Sequence, residues 1–211
     1  VRILTAAVDV ADRDGWDAVS MRRLAQELGV VPMAMYKHVA DKDELRAGMI
    51  DAVIAEYPVP DSRLGWREAF VARIRGARLA LGRHPWMRQA IEQSPSPTPV
   101  VLGYMNAVAG ELRRGDFSYD LIHYAMHALG HRIWGFSPEA FRAAPADATE
   151  PSSPDELAQA AALFPHVVAI ARDAAMRNPE GACDEEREFD FTLDLLLDAV
   201  DRLRAEGWHS R

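Results

Sequence analysis

The sequence predicts an all-α protein, with an N-terminal three-helix domain holding a helix-turn-helix and a larger C-terminal helical domain. Three observations carry that expectation. Apolar residues recur at helical spacing along most of the chain, no stretch alternates at the two-residue period of a strand, and Gly and Pro residues interrupt the pattern where helices should end. No internal repeat competes with this reading.

The segment S-M-R-R-L-A-Q-E-L-G-V-V-P-M-A-M-Y-K-H-V-A-D-K, Ser20 to Lys42, is the most explicit part of the chain. Ser20 suits an N-cap, and Met21, Leu24, Ala25 and Leu28 then fall on one helical face. Gly29 tolerates the left-handed backbone that closes a helix, and Pro32 suits the first turn of the next, expected over about Pro32 to Val39. Asp41, followed by Lys42 and Asp43, caps a further helix expected over 42–57. Short helices joined by a Gly turn are the geometry that places a helix N-terminus in a major groove, so DNA binding leads the functional expectations.

Residues 2–57 resemble the DNA-binding domain of the tetracycline repressor (TetR) family of transcriptional regulators. The resemblance rests on I-L-T-A-A in the first helix, the L-A-Q-E-L-G-V turn, M-Y-K-H-V on the recognition helix and D-K-D-E-L at the start of the following one. The W-G-F around Trp134 and F-D-F-T-L-D-L-L-L-D near the C-terminus resemble the ligand-binding half of the subgroup that contains the tetracycline repressor itself. This implies a regulator of transcription and no catalytic residues.

Charge first pulls the other way. The chain carries a net charge of −8, and residues 1–57 hold 10 Asp and Glu against 7 Lys and Arg, whereas nucleic-acid binders usually show a basic footprint. The sign reverses locally, where Arg22, Arg23 and Lys37 face only Glu27 between Ser20 and Ala40. A small positive face on an acidic body binds DNA weakly at random and leaves recognition to a few contacts repeated in a dimer on double-stranded operator DNA.

The resemblance places those contacts. Arg22 matches a guanine-reading position, where a guanidinium grips O6 and N7 together. Pro32, Met33 and Ala34 open the recognition helix without a side-chain donor, so readout there is expected from apolar contact such as with thymine methyls. Tyr36, Lys37 and Lys42 match backbone-contacting positions, Ser20 adds a phosphate bond while capping, and His38 stands beside them. Met35 and Val39 are expected in the core.

Beyond Tyr57 the Pro-rich P-V-P-D-S marks a boundary, giving domains of 1–57 for DNA binding and 58–211 for ligand binding and dimerisation. Helices are expected near 64–83, 85–93, 98–114, 118–136, 155–177 and 184–206, with Pro165 kinking or splitting the fifth. Along the last, Phe189, Leu193, Leu196, Val200 and Leu203 form one apolar stripe, and Phe191, Leu195 and Ala199 a second. A helix apolar on two sides needs two partners. In the family it joins the helix here at 118–136 in a four-helix bundle across a two-fold axis, so a homodimer is expected, with its interface on the first stripe.

A cavity in the larger domain is expected to take a small apolar or aromatic effector. Its candidate lining is Trp86, Met87, Tyr104, Met105, His123, Met126, His127, His131 and Trp134. The three histidines follow at four-residue steps on one face, a spacing that also suits a metal ion, but no carboxylate completes the set. No metal or cofactor is expected, and a metal-binding or metal-sensing helical protein built on His123, His127 and His131 is the alternative reading. Effector binding is expected to move the 64–83 helix and, through it, the 42–57 helix, changing the separation of the recognition helices and releasing DNA. No apolar run approaches the roughly 18 residues that suggest a membrane span, so no membrane association and a cytoplasmic location are expected.

Overall fold

The computed structural model describes residues 2–133, 154–177 and 185–210. Among them are eleven α-helices and one 3₁₀ turn, and no strand. Contacts cluster into two units, Val1–Gly135 with Val200–Arg211, and Phe136–Ala199. The expected boundary at 57/58 lies inside the first.

Helix α1 (Arg2–Asp14) buries Ala7, Val10 and Ala11. Gly15 ends it at φ 87°, a conformation that favours glycine, and a 3₁₀ turn then buries Trp16. Helix α2 (Met21–Leu28) starts as its sequence dictates: the Ser20 hydroxyl accepts from the Arg23 N–H at 3.2 Å. It closes at Gly29, φ 65°, with the Val30 N–H donating to the Ala25 carbonyl at 2.9 Å, the long bond of a Schellman ending.

Helix α3 is Pro32–Met35, shorter than expected. After Met35 the chain tightens into three-residue bonds, with the Lys37 N–H donating to Ala34 O at 3.4 Å and the His38 N–H to Met35 O at 2.9 Å. Val39 still reaches the core beside Met35, as expected. Helix α4 (Lys42–Ile54) takes two N-terminal amides on one Asp41 oxygen, from Asp43 at 2.9 Å and Glu44 at 2.8 Å. It stops three residues before the expected Tyr57, and a turn bond from the Tyr57 N–H to Ile54 O at 3.0 Å follows it. Helix α1 thus precedes the three helices α2, α3 and α4 of the reading motif.

Helices α5 (Trp66–Arg83), α6 (Met87–Glu92), α7 (Pro99–Arg114) and α8 (Tyr119–Ile133) follow. One apolar core runs from Ala7 through Leu24, Leu45, Met49 and Val53 into Ala77, Ala80, Met87 and Ala90, so α1 to α6 pack as one body. Pro58, in the Pro-rich boundary segment, lies hard against α5 at Gly76, where a Cβ would come within 2.3 Å of the proline ring. Thr98 caps α7 and its hydroxyl donates to Asp51 of α4.

In the second unit α9 (Pro154–Leu163) and α10 (Pro165–Arg177) pack on each other, and Pro165 splits the two at Phe164. Helix α11 (Glu185–Ala205) begins in this unit and ends in the first. Gly207 at φ 66° terminates it. Trp208 then meets Tyr124 edge-on at 5.3 Å, and the Ser210 amide and hydroxyl donate to Asp120 at 2.5 and 2.9 Å, tying the tail to α8.

Candidate functional site

The DNA-reading face is built from α2, α3 and the start of α4. Arg22 is exposed and makes no ion pair among the described residues. Arg23 is different. Its guanidinium reaches Asp14 at 3.0 Å and Glu27 at 2.9 Å, and Arg13 binds the same Glu27 oxygen at 2.7 Å. By sequence Arg22 and Arg23 look alike, but in the fold the charge of Arg23 is engaged by two carboxylates at the surface. The positive face therefore reduces to Arg22, Lys37 and Lys42, all exposed, with His38 exposed beside them.

Pro32 and Met33 are exposed, Met33 by 74%, while Ala34 is half-buried. Val31 and Tyr36 flank them at 67% and 49% exposure. The surface at the start of α3 is thus apolar and solvated, without a side-chain donor until Tyr36. Ser20 serves as the cap of α2.

The second feature is a cavity of about 830 Å³ lined from α4 to α8. Tyr104, Met105, His123, Met126 and His127, named above as candidate lining, stand along it. Trp86 and Met87 do not, and this corrects the sequence reading. Both are buried at the start of α6, where Trp86 stacks on Trp16 at 5.4 Å and 5°, and its indole N–H donates to Asp12 at 2.6 Å. The α6 residues that do face the cavity are Ile91 and Glu92, one turn further on. Sequence reasoning also missed Ile54, Ile74, Val101, Val108 and Leu129. Val101, Tyr104 and Val108 follow the helical period of α7, a signal that was present but indistinguishable from ordinary core.

The cavity is apolar with few polar groups. The Tyr104 hydroxyl is buried without a hydrogen-bond partner among the described residues, and burial pushes it up to about 12, so it stays a neutral donor. Tyr57 packs edge-on to it at 5.1 Å and is raised further, first by burial. His123 and His127 have ring centroids 4.6 Å apart. Among the described residues no group of three His, Cys, Asp or Glu side chains is placed to hold a metal. The His131 side chain and Trp134 lie outside the described residues.

On α11, Phe189, Leu193 and Val200 are buried within a single chain, together with Leu197, while Leu196 and Leu203 are half-buried. The expected interface stripe is therefore largely core. The apolar side chains left in solvent are Phe191 at 70% and Leu195 at 59%, from the second stripe.

These features define a helix-turn-helix protein whose reading head is packed onto a cavity-bearing helical body. Two family models match: that of the bacterial regulatory proteins of the tetR family over residues 3–49, and that of the tetracyclin repressor-like C-terminal domain over residues 59–203. The chain belongs to the TetR family. It is 37% identical over 114 residues to the HTH-type transcriptional repressor DrrR1 of Streptomyces coeruleorubidus, covering 53% of this chain and 42% of that one. It is 33% identical over 135 residues to an HTH-type transcriptional regulator of Saccharopolyspora erythraea, covering 64% and 57%. The matched stretches thus span about half the length of these two relatives. The class G tetracycline repressor protein of Vibrio anguillarum is 26% identical over 206 residues, covering 96% and 93%. Among solved structures, apo ActR from Streptomyces coelicolor superposes with a TM-score of 0.72 at 25% identity, covering 98% and 96%. ActR in complex with actinorhodin gives 0.71 at 26%, covering 94% and 93%. Among the described residues no helix is long and apolar enough to cross a membrane.

Proposed function

We propose that this protein is a homodimeric repressor that binds operator DNA through Arg22 and the apolar start of α3 and is released by an apolar or aromatic small molecule. The observation that carries the reading is the double role of α6. Ile91 and Glu92 line the cavity, while Trp86 and Met87, at the other end of the same segment, are buried against the DNA-binding helices. A ligand that displaces α6 therefore acts on the reading head directly. This replaces α5 with α6 as the moving part. ActR, which has been solved in complex with actinorhodin, supports a small-molecule effector. A cavity of about 830 Å³ lies in the range of small-molecule sites.

What α11 leaves exposed supports dimerisation. Phe191 and Leu195, rather than the first stripe, form its candidate seam. Two copies are needed because one short helix and one free arginine make too few base contacts for specificity.

The test is binding to the duplex immediately upstream of the protein's own gene, followed by fluorescence polarisation, with and without actinorhodin. Val108→Trp, which fills the cavity from α7, is expected to bind DNA and to resist release. Release that persists undiminished in Val108→Trp sinks the assignment of the cavity; DNA binding no tighter than to random duplex sinks the operator reading.

A further inference from the structure

The corner between α5 and α6 holds a polar cluster that the functional reading above does not use. His84, the C-cap of α5, is only 7% exposed. Its Nδ1 lies 2.8 Å from Asp12 of α1 and its Nε2 lies 3.3 Å from Glu56, just beyond α4. The Trp86 indole N–H donates to the same Asp12 oxygen at 2.6 Å, and Arg83 donates to the same Glu56 oxygen at 2.8 Å. The hydrogen bond from Arg83 first, and His84 after it, hold the Glu56 carboxyl below its ordinary range. One imidazole thus joins both helices that flank the reading motif to the corner from which α6 departs.

We infer that His84 is a latch between cavity and reading head, through which a displacement of α6 is transmitted to α1 and α4. The inference rests on the effector reading above, and it names the contact through which regulation runs. Apolar packing also joins these elements, but packed side chains slide with little directional preference, whereas two carboxylates held by the Trp86 and Arg83 donors and facing the imidazole fix distance and angle. The cluster sits at the right place to do this. Pro85 follows His84 directly and fixes the corner backbone, and Trp86 adds its stack on Trp16, whose own indole N–H donates to Gln93 at 3.0 Å. Movement at Ile91 or Glu92, within two turns, pulls on both ends of that arrangement.

A latch has a signature distinct from a merely structural contact. It changes how strongly ligand and DNA oppose each other while leaving ligand-free DNA affinity nearly intact. Coupling between sites commonly amounts to about 5- to 150-fold, and is read here as the factor by which saturating actinorhodin raises the operator Kd. His84→Leu deletes both carboxylate contacts, Trp86→Phe keeps the stack and removes one donor, and His84→Asn keeps a donor near the Nδ1 position facing Asp12. Relative to wild type, the release factor should fall at least about fivefold in His84→Leu, by less in Trp86→Phe, and recover in part in His84→Asn, with ligand-free Kd within about threefold throughout.

An unchanged release factor in His84→Leu overturns the latch and leaves the cavity assignment standing. A His84→Leu protein that keeps its helical circular dichroism but loses operator binding also overturns it, because the contact then shapes the reading head itself. Absence of any actinorhodin effect on the wild-type protein removes the effector reading and the latch with it.

Discussion

Replacing Arg22 by Ala isolates the one arginine on the reading face that the fold leaves unspent. Arg22 is exposed and makes no ion pair among the described residues, so its removal should shift stability by no more than about 0.5 kcal/mol. On DNA the effect is large. A bidentate arginine–guanine contact discriminates by about 1–3 kcal/mol, and a dimer makes it twice, giving about 2–6 kcal/mol, or about 30-fold to 10⁴-fold in Kd. Arg23→Ala provides the internal control. Its guanidinium is held by Asp14 and Glu27, so the variant should lose about 0.2–1 kcal/mol of stability per exposed pair and keep operator discrimination. The assay is fluorescence polarisation with operator, with random duplex and with an operator in which the guanine facing Arg22 is replaced. In the Arg22→Ala protein that base change should cost nothing further. If Arg22→Ala instead weakens operator and random duplex by the same factor, Arg22 touches phosphate and the base-reading assignment is wrong.

Three further outcomes are expected. Gly76→Ala should destabilise the protein by about 1–3 kcal/mol in thermal or urea unfolding, because its Cβ would meet the Pro58 ring at 2.3 Å; a neutral change would mean that the boundary segment is not fixed there. Glu56 has a lowered folded-state pKa, so the stability it contributes is present above its ordinary value of 4.5 and is lost as pH falls through the folded value. Glu56→Gln should therefore flatten part of the acid limb of a Tm-against-pH profile, and an unaltered limb would refute the contact with Arg83 and His84. Finally, the paired change Phe191→Asp with Leu195→Asp should shift sedimentation toward monomer with the helical spectrum retained, whereas an intact dimer would move the seam elsewhere.

Sequence alone determined where α2, α3 and α4 begin, where α2 ends and where α9 and α10 divide. Ser20, Gly29, Pro32, Asp41 and Pro165 act on backbone groups within four or five residues of themselves, so their consequences are written locally. The reading motif was legible for the same reason, and so was the α7 and α8 part of the cavity, where Tyr104, Met105, His123, Met126 and His127 repeat at helical spacing. Tertiary structure decided what no local rule reaches. Arg23 is neutralised by Asp14, which lies outside its own helix, and Trp86 is tied to α1 because Asp12, 74 residues earlier, accepts its N–H. Which stripe of α11 is core was likewise undetermined by its own sequence, since both stripes are apolar and only the neighbours present in the folded chain choose between them. The helices follow from short-range geometry. The spent and unspent charges, the cavity wall and the His84 corner follow from which distant residues the packing brings within about 3 Å of one another.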